Sequence, residues 1–295
     1  MNKISKYSWI TTAVVLLLGF LLLKFGFVDY GWTFFFIFPM SVGFAIGTHD
    51  NGKRSLYSLI FGVIIFMGFL LAGALEGLIC VLMALPLFLI MVYIGYYVQK
   101  KFSKKNDHTD NPQVLVTITP ILLLLFLTPI ERMIVPEPEV VTIVNTAYLE
   151  FAPEIVFDEV KQMEKLDADK PIGLQLGLPS PLRCQLMADT IGAQRHCYFK
   201  KGEIIAEITE YERGKILKMD VIDYTLTGKD WFQFVDATYA MQAQGTGTLI
   251  TRTSSYRSIL HPRMYWQPLE SWGIEQEHVF VLNSLKKNIE EKYSE

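Results

Sequence analysis

Five apolar runs within the first 130 residues constrain this chain more than any other feature. About 20 residues of helix are needed to cross the hydrocarbon core of a bilayer. The predicted spans are residues 9–28, 32–47, 56–73, 79–98 and 114–130, of which the second and the last are short. The sequence therefore predicts an N-terminal all-α transmembrane bundle of about five helices over residues 1–133.

Residues 56–98 form one run of 43 residues that contains a single charge, Glu76. No single span is that long, so we predict a tight helical hairpin that turns at residues 74–77. Glu76 is then either a turn residue at the interface or a buried functional carboxylate. Lys3 and Lys6 precede the first run, but no small-residue cleavage site follows, so we interpret this run as the first span and not as a signal peptide.

The basic residues in the short connections are distributed unequally between the two ends of the predicted bundle. Lys24 and Arg132 flank one end, and eight basic residues flank the other. The eight are Lys3, Lys6, Lys53, Arg54, Lys100, Lys101, Lys104 and Lys105. Because cytoplasmic loops carry the excess of Lys and Arg, the N-terminus is predicted to be cytoplasmic. With an odd number of spans, everything after residue 130 is predicted to be extracytoplasmic, at the cell or inner membrane.

Two alternatives attach to this topology. If residues 114–130 formed a re-entrant or surface segment, the C-terminal region would lie on the cytoplasmic side instead. The lysines at 100–105 are either a topology signal alone or also a recognition element for anionic lipid head groups.

After a linker of Pro and acidic residues at 134–139, the pattern changes to that of a soluble domain over residues 140–295. A β-branched strand comes first, and a helix with Pro153 in its first turn follows. Strand-like runs then occupy residues 182–188, 195–199, 203–211, 215–223, 230–241 and 247–257. The chain closes on a helix from about Glu270, with one apolar stripe. The stripe consists of Ile274, His278, Val281, Leu282, Leu285 and Ile289. This order predicts an α+β domain in which a curved antiparallel sheet wraps around the last helix.

Composition argues against several classes of function. From Val140 onward there are 17 Lys and Arg against 22 Asp and Glu, which disfavours a nucleic-acid partner. The chain contains no GxxxxGK[ST], GxGxxG or HExxH motif, so no cofactor is predicted. No Cys/His spacing resembles a zinc site, and no metal is predicted. No GxSxG motif or paired carboxylates single out a catalytic residue.

The order of elements, "EFAPEIVFDEV", "GAQRHCYFKKG" and the terminal helix together resemble the START-like, or SRPBCC, superfamily, which includes polyketide cyclase/dehydrase-like proteins. The resemblance covers residues 140–293 and rests on hydrophobic pattern rather than on invariant chemistry. It implies a helix-grip fold that encloses a hydrophobic cavity, here fused to a multi-span membrane anchor.

Strand alternation places Cys184, Leu186 and Ala188 on one face. If the chain turns at residues 190–191, Cys184 lies opposite Cys197, with Phe199 on the same face. Directly opposed residues have Cα atoms about 4.5–5.5 Å apart, which is within disulfide range. We therefore predict either a disulfide on an oxidising exterior or two small buried thiols.

The same alternation points Arg195 inward, where it needs a carboxylate such as Asp189 or an anionic ligand head group. His278 lies on the inner stripe and is either a hydrogen-bonded core residue or a polar contact or general base for a ligand. Tyr239 and Trp272 either line a pocket mouth or belong to the core. The candidate ligand-binding residues are Leu186, Arg195, Phe199, Tyr239, Trp272 and His278.

Three functions are compatible with these features. The leading hypothesis is a membrane-anchored domain that binds a lipid or other apolar small molecule in an internal cavity. The alternatives are a tethered enzyme of cyclase/dehydrase or hydrolase type, and a sensor or assembly protein. Residues 172–181, with two Gly and two Pro, form either a lid over the cavity or an ordinary connector.

Overall fold

The computed structural model describes residues 3–47, 53–72, 77–103, 113–226 and 228–293 of the chain. They divide into two compact units. The first comprises Met1–Glu137 with Leu260–Tyr265, and the second comprises Pro138–Ile259 with Trp266–Glu295. Glu76, predicted to be either a turn residue or a buried functional carboxylate, lies outside the described residues.

The regular elements described in the first unit are all helices. Its helices are α1 (Lys3–Lys24), a π-helical turn (Thr33–Ile37) that leads into α2 (Phe38–Gly47), α3 (Lys53–Ala72), α4 (Leu78–Ser103) and α5 (Gln113–Ile134). These segments coincide with the five apolar runs. Within the described residues, one helix is long and apolar enough to cross a membrane: Leu78–Phe102, 25 residues with a mean hydropathy of 2.7. The shorter apolar helices are Val14–Lys24, Thr33–Gly47 and Ile60–Phe69. The structure thus supports one candidate span, and it does not establish the predicted bundle of five.

Glycines allow α2 and α4 to pack backbone against backbone. A Cβ atom on Gly43 would lie 2.0 Å from the carbonyl oxygen of Val92, and one on Gly95 would lie 1.8 Å from that of Met40. Neither position can accept a side chain without separating the helices. The close approach of these two helices therefore depends on both glycines.

The C-terminal end of α5 is tied to the loop between α1 and α2. The Glu131 carboxylate accepts hydrogen bonds from the backbone N–H groups of Trp32 (2.5 Å) and Thr33 (2.9 Å). These N–H groups stand at the start of a helical segment, where a negative charge is favourable. The next residue, Arg132, forms an ion pair with Asp29, in which Nε and Oδ2 are separated by 2.5 Å. The end of α5 and the α1–α2 loop therefore lie at the same end of the helical unit.

The second unit contains one eight-stranded antiparallel sheet with the order β1-β8-β7-β6-β5-β4-β3-β2. The strands are β1 (Val141–Leu149), β2 (Gln162–Met163), β3 (Pro181–Leu186), β4 (Gln194–Phe199), β5 (Glu203–Glu212), β6 (Ile216–Tyr224), β7 (Phe232–Gln244) and β8 (Gly247–Ser258). The helices are α6 (Pro153–Lys161), α7 (Ile172–Gln175) and α8 (Arg263–Tyr293). From β2 to β8 the chain forms a meander, and β1 closes the sheet by pairing with β8.

The core of this unit lies between the sheet and α8. Alternate residues of the strands, such as Ile208, Leu217 and Ile250, are fully buried together with Phe280 and Leu285 of the helix. The predicted apolar stripe of the last helix is therefore the face that packs against the sheet. A curved antiparallel sheet around a long C-terminal helix is the helix-grip arrangement, as the sequence predicts for this part of the chain.

Candidate ligand-binding site

Polar side chains converge on one part of this otherwise apolar core. On the sheet, Arg252 of β8 is the direct cross-strand neighbour of both Asn145 in β1 and Tyr239 in β7. Directly opposed residues project from the same face of a sheet. From the facing helix, α8 contributes the consecutive residues Glu277 and His278. We call Asn145, Arg195, Tyr239, Arg252, Ser254, Glu277 and His278 the interior polar cluster.

Arg195 lies on β4, between the core residues Leu186 and Ala206 in the sheet register, and is 3% exposed. Its Nη2 donates a hydrogen bond of 2.7 Å to the carbonyl oxygen of Val160, in the last turn of α6. Its Nη1 lies 3.7 Å from the sulfur of Met219, and its Nε has no hydrogen-bond partner among the described residues. Burial lowers the pKa of Arg195 from its ordinary value.

Arg252 is also buried, and it forms an ion pair with Glu277, with Nη2 and Oε2 separated by 2.8 Å. Burial by itself would lower the pKa of Arg252, but the Glu277 carboxylate outweighs it, and the net shift is upward. In the described part of the chain, its Nε and Nη1 have no hydrogen-bond partner. One guanidinium of the cluster is thus neutralised, yet two of its N–H-bearing nitrogens remain unused.

The ring of Tyr239 links the two arginines. Its centroid lies 5.5 Å from Cζ of Arg195 and 5.3 Å from Cζ of Arg252, within the range of a cation–π contact. Tyr239 is 2% exposed, so these contacts form away from water. The aromatic ring partly stabilises two positive charges that the apolar interior would otherwise disfavour.

His278 has both ring nitrogens within hydrogen-bond distance of neighbours. Nδ1 lies 2.8 Å from Oδ1 of Asn145, and Nε2 lies 2.8 Å from Oγ of Ser254. This fits a neutral ring that donates from Nδ1 to the amide oxygen and accepts the hydroxyl proton at Nε2. Burial, aided by the charge of Arg252, lowers the pKa of His278 to about 2. The geometry favours the hydrogen-bonded core role over that of a general base.

The two cysteines lie directly opposite each other in the β3–β4 register, and their sulfurs form a disulfide with an S–S distance of 2.02 Å. Leu186, in the same hairpin, belongs to the buried core. Phe199 lies opposite Pro181 at the far end of the hairpin and is only partly buried. Trp272 is likewise partly buried. Neither Phe199 nor Trp272 is part of the interior polar cluster.

Asp189 does not pair with Arg195. Its carboxylate instead accepts a hydrogen bond of 2.7 Å from Nζ of Lys161. The reason is the β3–β4 turn, which places Asp189 on the surface near the end of α6, whereas Arg195 points into the core. A depression of about 440 Å³ lies here, lined by Asp158, Lys161, Gln162, Asp189 and Arg213. Its charged side chains pair with one another, so they form an ion-pair network at the surface.

The segment at residues 172–181 begins with α7, which packs against α8. The backbone N–H of Gly173 donates to Oε1 of Gln276 at 3.3 Å. A Cβ atom on Gly173 would lie 3.0 Å from Trp272 and 2.8 Å from Leu178, so the neighbouring side chains would have to shift to admit one. Leu174 enters the buried core. The segment therefore covers part of the core next to α8.

Sequence reasoning found Arg195, Tyr239 and His278 but missed four members of the cluster: Asn145, Arg252, Ser254 and Glu277. A signal for Arg252 was present, because it alternates in phase with the core residues Ile250 and Tyr256. An arginine in the inward phase of a strand requires a partner. Glu277 carried no comparable signal. Across the described residues, no group of three His, Cys, Asp or Glu side chains is arranged to hold a metal ion.

Comparisons with known proteins give structural likenesses alone. No family model and no curated protein matches the chain. Among solved structures, protein TTHA0849 from Thermus thermophilus is similar with 15% identity and a TM-score of 0.39, covering 52% of this chain and 99% of its own. Norcoclaurine synthase from Thalictrum flavum is similar with 11% identity and a TM-score of 0.37, covering 52% and 96%. Major latex-like protein 151 from Panax ginseng is similar with 10% identity and a TM-score of 0.31, covering 48% of this chain and 98% of its own. These values are too low to carry an argument about activity or ligand.

Proposed function

We propose that the helix-grip domain binds a lipid or another apolar small molecule between its sheet and α8, and that the N-terminal helices anchor it to a membrane. The observation that carries this proposal is the interior polar cluster. Ligand sites are mostly apolar, with a few convergent polar groups that orient the ligand. Three nitrogens of the cluster, Nε of Arg195 and both Nε and Nη1 of Arg252, are buried without a partner in the described chain.

A purely structural core explains these nitrogens poorly. A buried N–H group without a hydrogen bond costs about 1–3 kcal/mol, and more if the group is charged. A core selected only for stability would place apolar side chains at positions 195 and 252, since these often match or exceed the stability of a buried ion pair. A ligand that accepts hydrogen bonds from the arginines would recover the cost.

The N-terminal helices are proposed to form five spans with a cytoplasmic N-terminus and an extracytoplasmic helix-grip domain. The bias of eight basic residues against two supports this orientation. The contacts of Glu131 and Arg132 with the α1–α2 loop support it as well, because they bring the end of α5 to the end opposite the N-terminus of α1. Tethering would favour capture, since an apolar ligand is concentrated in the bilayer next to the domain.

The proposed entrance lies at residues 172–181. The described contacts of α7 with α8 include one backbone hydrogen bond to the Gln276 side chain, together with the packing of Leu174 and Leu178. A segment held by so few buried contacts opens at low cost in free energy. Its displacement would expose the core next to Trp272.

Mass spectrometry of organic extracts from the purified full-length chain tests ligand binding. The wild-type chain should carry an apolar molecule in about equimolar amount. In Ala206→Phe the new ring would project from the inward face beside Arg195, so this variant should lose the molecule. Glu210→Gln, on the exposed face of the same strand, should retain it. Equal retention in folded Ala206→Phe, judged by circular dichroism, would contradict the proposal.

An enzymatic role is not favoured by the same geometry. A catalytic group in the core would need both a shifted pKa and access to a substrate. His278 has the shifted pKa, but Asn145 and Ser254 occupy its two ring nitrogens. The polar cluster is therefore better suited to holding a ligand than to transferring a proton.

A further inference from the structure

The interior polar cluster contains unequal numbers of positive and negative charges. Arg195 and Arg252 contribute two guanidinium groups, and Glu277 contributes one carboxylate. Glu277 pairs with Arg252, whereas Arg195 makes no ion pair with any described carboxylate. His278 is neutral because burial and the nearby charge of Arg252 lower its pKa, and its two hydrogen-bonding neighbours, Asn145 and Ser254, carry no charge. The cluster thus carries one positive charge in excess inside the domain.

Neutral groups offset this excess only in part. The Val160 carbonyl that accepts from Arg195 stands in the last turn of α6, where the helix dipole is negative. The face of Tyr239 also attracts both guanidinium groups. Neither interaction supplies a full negative charge, and a buried charge is costly unless it is paired. An anionic group is the chemical complement that this part of the core lacks.

The positions of the unpartnered nitrogens indicate where such a group would bind. Both Cζ atoms lie within 5.5 Å of the Tyr239 centroid, so an anion beside this ring is close to both arginines. Arg252 still has two partnerless nitrogens after pairing with Glu277, and Arg195 has one. Carboxylate and phosphate oxygens match the planar donor array of a guanidinium.

We propose that the ligand is an acidic amphiphile whose carboxylate or phosphate binds between Arg195 and Arg252 beside Tyr239, with its apolar part in the surrounding core. This inference rests on the proposed function, because it specifies the chemical class of the ligand for that same site. It excludes a neutral sterol, alcohol or ester as the preferred occupant. Arg195 is the principal contact, since Glu277 forms its ion pair with Arg252 and acts on Arg195 only at a longer distance.

A pair of probes that differ only in charge tests this inference. Binding of hexadecanoate and of methyl hexadecanoate to the full-length chain in detergent is measured by equilibrium dialysis. The acid should bind the wild type at least about tenfold more tightly than the ester, as is typical of a hydrogen bond to a charged group. Arg195→Gln, whose amide can still donate to Val160, should lose that preference.

Two further variants keep the result interpretable. Arg213→Gln removes an exposed guanidinium that pairs with Asp158 at the surface, and it should bind both probes as the wild type does. Arg195→Lys retains the positive charge and should keep a preference for the acid even if Arg195→Gln fails to fold. If Arg213→Gln lost the preference for the acid over the ester, the result would contradict a head-group site at Arg195. A folded Arg195→Lys without that preference would contradict it as well.

The failure of this inference can be told apart from that of the proposed function. Equal binding of acid and ester to the wild type would overturn the acidic head group and leave apolar binding intact. Binding of neither probe would overturn both. Acetate or inorganic phosphate, added alone, should stabilise the domain far less than hexadecanoate. If either stabilised it equally, the site would be one for a small anion, and the amphiphile would be excluded.

Discussion

At the scale of single residues, Arg252 and Glu277 depend on each other. Removing one partner of a buried ion pair leaves the other charge buried and uncompensated. Glu277→Gln would leave the two guanidinium groups of the cluster without a carboxylate. We expect it to lower the free energy of unfolding of the helix-grip domain by about 3 kcal/mol. Hydrogen exchange of the α8 amides in the full-length chain measures this change.

Replacing both partners should be much less harmful. Arg252→Met with Glu277→Met removes the charges together and should differ from the wild type by about 1 kcal/mol or less, because apolar residues of similar volume replace buried pairs at little cost. Glu212→Gln, at the exposed pair with Lys215, is the control and should change stability by less than about 1 kcal/mol. A double variant as unstable as Glu277→Gln would contradict this description of the pair.

His278 should make the domain less stable in mild acid. Its pKa is about 2 in the folded chain, against an ordinary value of 6.5. Below pH 6.5 the unfolded state therefore binds a proton that the folded state does not, and stability falls as the pH falls. Between pH 6.5 and 5 the expected loss is about 1.5 kcal/mol. Hydrogen exchange of the α8 amides across this range, corrected for intrinsic rates, should show it.

His278→Gln provides the comparison, since glutamine can donate and accept hydrogen bonds but does not titrate. At pH 6.5 the variant is expected to be less stable than the wild type. Between pH 6.5 and 5 its free energy of unfolding should fall by less than that of the wild type. Asp158 does not interfere with this comparison. Burial alone would raise the pKa of its carboxyl, but Arg213 and Lys161 outweigh burial and lower it. Its contribution to the free energy of unfolding is therefore lost only below about pH 4. An unchanged slope in His278→Gln would show that other groups cause the pH dependence.

The residues that could be predicted are those whose position follows from local alternation. The strand period of two residues predicts that Arg195 points inward and that Cys184 lies opposite Cys197. The helix period of three to four residues predicts that His278 lies on the inner stripe. The partners of these residues could not be predicted in the same way. Glu277 meets Arg252 only because β8 and α8 pack together, and Asp189 meets Lys161 only because of how the β3–β4 turn folds back towards α6.

At the scale of elements, the disulfide joins two adjacent strands of the helix-grip domain. Cys184 and Cys197 are separated by 13 residues, so the bond closes a loop of modest length. A cross-link of this size stabilises by about 3 kcal/mol, chiefly by limiting the unfolded chain. We therefore expect Cys184→Ala with Cys197→Ala to lower hydrogen-exchange protection across β3 and β4 by up to this amount.

A reducing agent should reproduce the effect in the wild type and have no effect in the double variant. Cys80→Ala, which alters the cysteine outside the disulfide, is the matched control and should leave protection in β3 and β4 unchanged. Equal protection in the reduced and the oxidised wild type would show that the bond does not contribute to the stability of the hairpin.

Strand-like runs with turn signals predict β3 to β8 to within a few residues, because inward and outward positions alternate clearly there. The start of α8 was harder to predict. The helix begins at Arg263 and passes through Pro268, a residue that normally marks a helix boundary. The π-helical turn before α2 was also missed, since its apolar sequence is compatible with an ordinary helix.

At the scale of the whole molecule, hydropathy predicts the existence of the N-terminal helices better than it predicts their relation to a membrane. Each of the five apolar runs contains a helix, yet in the described residues only Leu78–Phe102 meets the length and hydropathy expected of a span. A run of apolar residues is compatible with a span and with a buried helix, and periodicity alone does not separate them. The number of spans decides on which side of the membrane the helix-grip domain lies. The extracytoplasmic position of this domain is therefore the central claim to test.

Reporter fusions placed after Glu139 test this claim most directly. An alkaline phosphatase that folds only outside the cytoplasm should be active there, and a green fluorescent protein that fluoresces only in the cytoplasm should be dark. Fusions after Lys101, at the predicted cytoplasmic end of α4, should give the reverse pattern and serve as the control. A fluorescent fusion with an inactive phosphatase after Glu139 would place the domain in the cytoplasm and contradict the proposed topology.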